Sequence, residues 1–196
     1  MTAPHPMPAP GVVPLAEPLL ELVDRRQAIA LLAWLRARGS GPLPHRRALK
    51  PEGIAAALPV AALVGVDWSA ERPSYRARIE GRWVAAAFGE ARGRSFRQTL
   101  KPTHLGHVLP AFDRAAKGEV GFSPMASKTS DGRDFIYSRL LLPWKGDSGR
   151  VSRILAVFGF DTDRLALLGG PLDVGDVIPA ASVRRHMAGH LRLQSA

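Results

Sequence analysis

One short stretch, Ser74-Tyr75-Arg76-Ala77-Arg78-Ile79-Glu80, constrains the fold of this chain more than any other. Tyr75, Ala77 and Ile79 fall on one side of an extended backbone, and Ser74, Arg76, Arg78 and Glu80 on the other. That period of two is the mark of a half-buried antiparallel strand. Just before it, Val60 to Asp67 reads as a buried strand. Three more strands are expected near the end. Glu119–Lys128 and Phe135–Trp144 flank the turn signal Ser130-Asp131-Gly132, and Lys145-Gly146-Asp147-Ser148-Gly149 leads into Val151–Asp161. Between the two groups, residues 81–117 turn helical and irregular, with a helix over His104–Lys117. The class is therefore α+β, with two strands, a helical middle and three strands.

The flanks differ from this centre. Residues 1–15 carry Pro4, Pro6, Pro8, Pro10 and Pro14 and are expected to form a disordered leader, because proline lacks the N–H that helices and sheets use. Residues 16–42 hold an N-terminal amphipathic helix from about Glu17 to Arg38, with Pro18 in its first turn and Gly39 and Gly41-Pro42 as its stop. Ala28, Leu31, Leu32 and Leu35 give it an apolar stripe. That stripe is expected to pack on the domain or on a second copy, and a homodimer is the expected partnership. A short helix is expected at Pro51–Leu58. Residues 43–161 form the domain, and 162–196 a basic tail with a short helix from Ser182.

Composition closes off several classes. There is no cysteine among the 196 residues, so disulfides, thiolate metal sites and cysteine nucleophiles are excluded, and a cytoplasmic setting is expected. The apolar run Gly53–Val66 is broken by Pro59 and is shorter than the ~18 residues a membrane span needs. Arg25-Arg26 precedes an apolar stretch that ends in charge at Arg36, without a cleavage site, so no targeting signal is read there. The formal charge of +10 is concentrated. Arg25, Arg26, Arg36, Arg38, Arg46, Arg47 and Lys50 occur with no acid between them, and Arg184, Arg185 and Arg192 sit in an acid-free tail. A solvated arginine-rich surface accounts for this; a patch for nucleic acid or an anionic surface is the alternative.

The order of elements, with particular residues, resembles the PAS superfamily. Phe88-Gly89 followed by Gly93-Arg94-Ser95 is similar to the aromatic-glycine pair and G-R-S turn of PAS domains. Asp131-Gly132-Arg133 resembles the turn before the penultimate strand, and Val157-Phe158-Gly159-Phe160-Asp161 the last strand with its terminal acid. Trp34-Leu35-Arg36, Leu43-Pro44-His45-Arg46 and Pro51 further resemble a family of short, stand-alone bacterial PAS-like proteins. Ala48 and Lys50 depart from it where acids are expected. The resemblance implies a five-stranded antiparallel sheet with helices over one face, preceded by the N-terminal helix and enclosing a cavity. It places Phe96, His107, Val108, Phe112, Tyr137 and Phe158 on the elements that line that cavity, as candidate ligand contacts. Arg46 is expected to be structural, its guanidinium fork bridging a carboxylate or carbonyls across the turn.

No phosphate loop, dinucleotide fingerprint or nucleophile elbow is present, and Asp131 and Asp134 have no histidine partner nearby. His186 and His190 share a helical spacing without the further ligands a metal needs. His104 and His107 lie where haem-binding PAS domains place an axial histidine, but a polar role near a helix start explains them. A photoadduct of the light-oxygen-voltage type requires a cysteine. No catalytic set and no cofactor are indicated. The expectation is a non-enzymatic sensory module, with a signalling protein as partner and a small molecule as candidate ligand. The sequence shows no kinase, cyclase or helix-turn-helix segment, so its output is expected to pass through a partner or a dimer.

Overall fold

The computed structural model describes residues 24–129, 132–167 and Leu172. The Pro-rich leader, the helix start expected at Glu17, the Ser130-Asp131 step and the tail helix expected from Ser182 lie outside the described residues. The first element, α1, spans Arg25–Arg38. A 3-10 segment at Pro51–Val60 leads into β1 (Ala61–Asp67) and β2 (Ser74–Glu80). The helical middle consists of α2 (Arg82–Phe88), α3 (Phe96–Thr99) and α4 (Pro102–Ala116). Strands β3 (Gly121–Lys128), β4 (Asp134–Lys145) and β5 (Val151–Gly159) follow, with a short α5 at Thr162–Ala166.

The strands form one antiparallel sheet in the order β2-β1-β5-β4-β3. β1 is an interior strand, held by β2 and β5, and β5 takes the middle. Pro124 falls on the edge strand β3, where its missing N–H costs no ladder bond on the open side. Pro143 lies in β4 beyond the last β3 pairing, Gly121 with Leu141.

Period-two alternation assigns every side chain of the inner strands to a face. Ala62 and Val64 of β1, Ala156 and Phe158 of β5 and Arg139 of β4 point toward α2, α3 and α4. Ala61, Leu63, Arg153 and Leu155 point to the opposite, outer face. Ile79 departs from the sequence reading. β1 and β2 pair Leu63 with Ile79 but Val64 with Ala77, so Arg78 is skipped as a bulge. Past a bulge the facing inverts, and Ile79 joins Leu63 on the outer side, 53% exposed.

The N-terminal helix is rotated relative to the expected stripe. Its buried face is Gln27, Ala30, Leu31 and Trp34, whereas Leu32 and Leu35 face solvent. Gln27 sets this rotation. Its Nε2 donates to the Val157 carbonyl at 2.9 Å, and its Oε1 accepts from Ser138 Oγ at 2.9 Å and from the Asp24 backbone at 3.1 Å. Trp34 Nε1 donates to the Pro143 carbonyl at 2.7 Å, fixing the other end. Gly159 is needed here, because a Cβ would collide with Ser138 Oγ and crowd Gln27 Oε1. The helix start is equally local: Asp24 and Gln27 form a capping box that begins the helix at Arg25. α1 is thus packed on the sheet. Leu31→Ala should cost about 2–5 kcal/mol, whereas Leu35→Ala should stay within ~0.5 kcal/mol. Urea unfolding of the two variants checks the assignment.

Candidate functional site

Two hollows use opposite faces of the same strands. The inner one lies between the sheet and α2–α4 and has a volume of about 110 Å³. Its wall is largely apolar, with Val64, Val84, Phe96, Val108, Phe112 and Phe158, and its polar members are Glu80, Thr99 and Arg139. Phe96 meets Phe112 edge-on at 4.9 Å between centroids, and Tyr75 lies within 5.6 Å of both rings. The Tyr75 hydroxyl donates to Asp113 Oδ1 at 2.5 Å. Burial, and then that bond, push the Tyr75 phenol above its ordinary range.

Four of the sequence candidates, Phe96, Val108, Phe112 and Phe158, come together on this wall. His107 does not; it lies on the solvent side of α4. Tyr137 points inward but joins a neighbouring aromatic cluster, 5.6 Å from Phe88 and 5.5 Å from Phe160. Burial pushes its phenol upward as well. His104 is buried on α4 outside the cavity wall. A cavity of this volume falls below the ~300 Å³ lower end of ordinary ligand pockets, so it does not fit a haem or a flavin ring. Among the described residues no cluster of His, Cys, Asp or Glu could hold a metal.

Sequence reasoning missed Arg139. It occupies the inward register of β4 between Tyr137 and Leu141 and is 5% exposed. Its guanidinium carbon stands 5.5 Å from the Phe112 ring centroid. Its Nε is buried without a hydrogen-bond partner. Burial holds its pKa below the usual arginine value, opposed by the neighbouring Tyr137 and reinforced by repulsion from Arg114. The available signal was a lone cation inside the apolar run Phe135–Trp144, in phase with inward residues.

The outer hollow is a groove of about 800 Å³ between the 3-10 segment Pro51–Val60 and strands β1, β2 and β5. Ile54, Leu58, Leu63, Ile79 and Leu155 form its floor, and Arg46, Arg47, Arg82 and Arg153 its rim. Burial and then the neighbouring Arg78 and Arg46 lower the pKa of Arg153, so cations are crowded there. At one end the chain is clamped to the β4–β5 turn. Pro44 O accepts from the Lys145 backbone at 3.0 Å, and His45 bridges Lys145 in parallel. Asp147 in that turn receives Arg46 at 2.6 Å, Arg47 at 2.8 Å and His45 at 3.3 Å. The Arg46 hydrogen bond, followed by the charge of Arg47, holds the Asp147 carboxyl below the usual range.

A family model described as "PAS fold" matches residues 72–162. No curated protein matches the sequence significantly. Among solved structures, one similar chain comes from work entitled "Flavin Analogue Sheds Light on Light-Oxygen-Voltage Domain Mechanism". It is 15% identical with a TM-score of 0.37, covering 71% of this chain and 93% of its own. A second, an RNA-binding light-oxygen-voltage receptor, is 17% identical with a TM-score of 0.39, covering 80% of this chain and 41% of its own. This chain therefore spans about two fifths of that receptor.

The clamp yields a prediction. Arg46 is 38% exposed and Arg47 76%, so solvent screens Arg47 more. Arg46→Ala should lower the melting temperature more than Arg47→Ala. The Asp147 pKa is depressed in the folded chain, so its contribution is present above the unfolded aspartate value of ~3.9 and is lost as pH falls through the folded one. The gap in melting temperature between wild type and Asp147→Asn should therefore hold from neutral pH to about 5 and close on further acidification. Calorimetry across that range checks it.

Proposed function

We propose that this chain, whose residues 72–162 match a PAS-fold family model, is a sensory module of the PAS type without catalytic activity. In this reading a small ligand occupies the inner cavity and a protein partner binds the outer groove. One observation carries it: the same two strands line both hollows with alternate residues. Ala62 and Val64, with Ala156 and Phe158, face the cavity; Ala61 and Leu63, with Arg153 and Leu155, face the groove. A shift of the β1–β5 pair on ligand entry moves both walls, since closely packed side chains transmit strain. Phe96, Val108, Phe112 and Phe158 are the proposed ligand contacts, and Arg46 the structural clamp of the groove's end.

The partner that suits the groove is an acidic amphipathic segment of another protein. Five apolar side chains on the floor would take its apolar face, and four rim arginines its carboxylates. Glu80 is the one acid among the described residues that line the groove. A second copy bound through α1 has less support, because Leu31 belongs to the core and only Leu32 and Leu35 of the stripe remain exposed. Nucleic acid is favoured by the charge but not by the floor, which offers aliphatic groups where base stacking requires aromatic or guanidinium planes.

A fluorescent peptide with leucines at helical i, i+3, i+4 spacing and glutamates between them is the probe. It should bind in a salt-sensitive way, and Ile79→Glu and Arg153→Glu should each weaken it roughly tenfold or more by anisotropy. Excess single-stranded oligonucleotide should not displace it. Displacement by the oligonucleotide, with Ile79→Glu silent, would support the nucleic-acid reading instead.

A further inference from the structure

We infer that Arg139 makes the inner cavity a receptor for a small organic anion, a monocarboxylate with a short apolar body. This deepens the proposal that the cavity holds a ligand and rests on it. Arginine cannot shed its proton at any ordinary pH, so a buried guanidinium needs an anion, a set of acceptors or water. Arg139 Nε is sealed from solvent without a hydrogen-bond partner, and the neighbour its guanidinium faces is the Phe112 ring, 5.5 Å away, which offers no lone pair. Glu80 is the carboxylate on the cavity wall, but its Oε2 accepts the Ala91 backbone N–H at 2.9 Å and forms no ion pair with Arg139. Asp113, one residue beyond Phe112, takes the Tyr75 hydroxyl. Arg114 adds repulsion.

Replacing buried ionic groups by apolar side chains of similar volume is often neutral or stabilising, so stability alone does not explain an arginine here. An anion in the cavity does. Its carboxylate would accept the guanidinium fork in the two-bond geometry that arginine favours. Its apolar body would lie against Val64, Val84, Val108, Phe96 and Phe158. Thr99 is not a competing donor, since its hydroxyl is given to the Ser95 carbonyl at 3.1 Å. The volume of about 110 Å³ sets the size: a ~150 Å³ cavity accommodates benzene, so the apolar body is at most a benzene ring, roughly three to six non-hydrogen atoms.

The test is a thermal-shift titration of the full chain with butyrate, benzoate, benzyl alcohol and inorganic phosphate. Butyrate or benzoate should raise the melting temperature saturably, as a ligand of the folded state must, and phosphate should not. Arg139→Met should melt no lower than wild type without ligand and bind the carboxylate about thirtyfold or more weakly. It should keep any response to benzyl alcohol. Arg139→Lys retains charge without the fork and should show a weakened carboxylate response. A lower melting temperature for unliganded Arg139→Met, or an undiminished carboxylate response, would overturn the assignment by giving Arg139 a structural role. If benzyl alcohol binds the wild type and neither carboxylate does, the anion inference fails while the cavity remains a ligand site. If none of the organic probes binds, both fail.

Discussion

The β1–β5 pairing is the constraint from which the rest of the molecule follows. Ala61 to Gly65 run antiparallel to Val157 to Arg153 with no slip, so each residue on one strand shares a face with its partner. β5 also carries β4, and β1 carries β2, so the pair fixes the register of the flanking strands. Both faces of these strands are apolar, unlike the ordinary antiparallel sheet with one wet side. The helical middle covers one face, and α1 with the 3-10 segment covers part of the other. What remains uncovered on the outer side is the groove over Leu63, Leu155 and Ile79. Leu63 and Ile79 come together there because the bulge at Arg78 turns Ile79 outward.

α1 is held on this frame by polar contacts at both ends of a short apolar face. Gln27 ties its start to β5 and β4, and Trp34 ties its end to β4. A fully buried glutamine with three hydrogen bonds has little freedom to rotate, and a wrong rotation would leave those groups unpaired at a cost of about 1–3 kcal/mol each. The clamp at Asp147 then anchors the segment that follows α1, where Arg46 and Arg47 leave the turn and become the groove's rim.

Much of this was legible in the sequence. The strands were, because period-two patterns and glycine turns are local signals; β2 was read with its observed ends. The facing of Ile79 was not, since a bulge is a property of two paired strands and one strand's alternation does not contain it. The rotation of α1 was hidden for a related reason. Counting apolar residues at helical spacing treats Gln27 as solvent-facing, while its buried bonds depend on residues more than a hundred positions away. Four of the six cavity candidates share one wall because Phe158 follows the inward register of β5 and Phe96, Val108 and Phe112 lie on the helices α3 and α4 that cover that face. His107 fails because it points away from the sheet on α4, and Tyr137 because Phe88, Phe158 and Phe160 enclose it. Arg139 went unread because a charge in a strand is ordinarily assigned to solvent; only its phase with Tyr137 and Leu141 marked it as inward.

The central claim is that cavity and groove are two sides of one strand pair, so that filling the first alters the second. Methyl-resolved NMR tests this most directly. Ala62→Leu would fill the cavity from β1, and the Leu63 and Leu155 methyls would report from the groove floor, on the opposite face. The account predicts shifts at Leu63 and Leu155 on this substitution, with the Leu31 methyls under α1 unmoved. Changes confined to Val64, Val84 and Val108 on the cavity wall would contradict it and leave the two hollows independent.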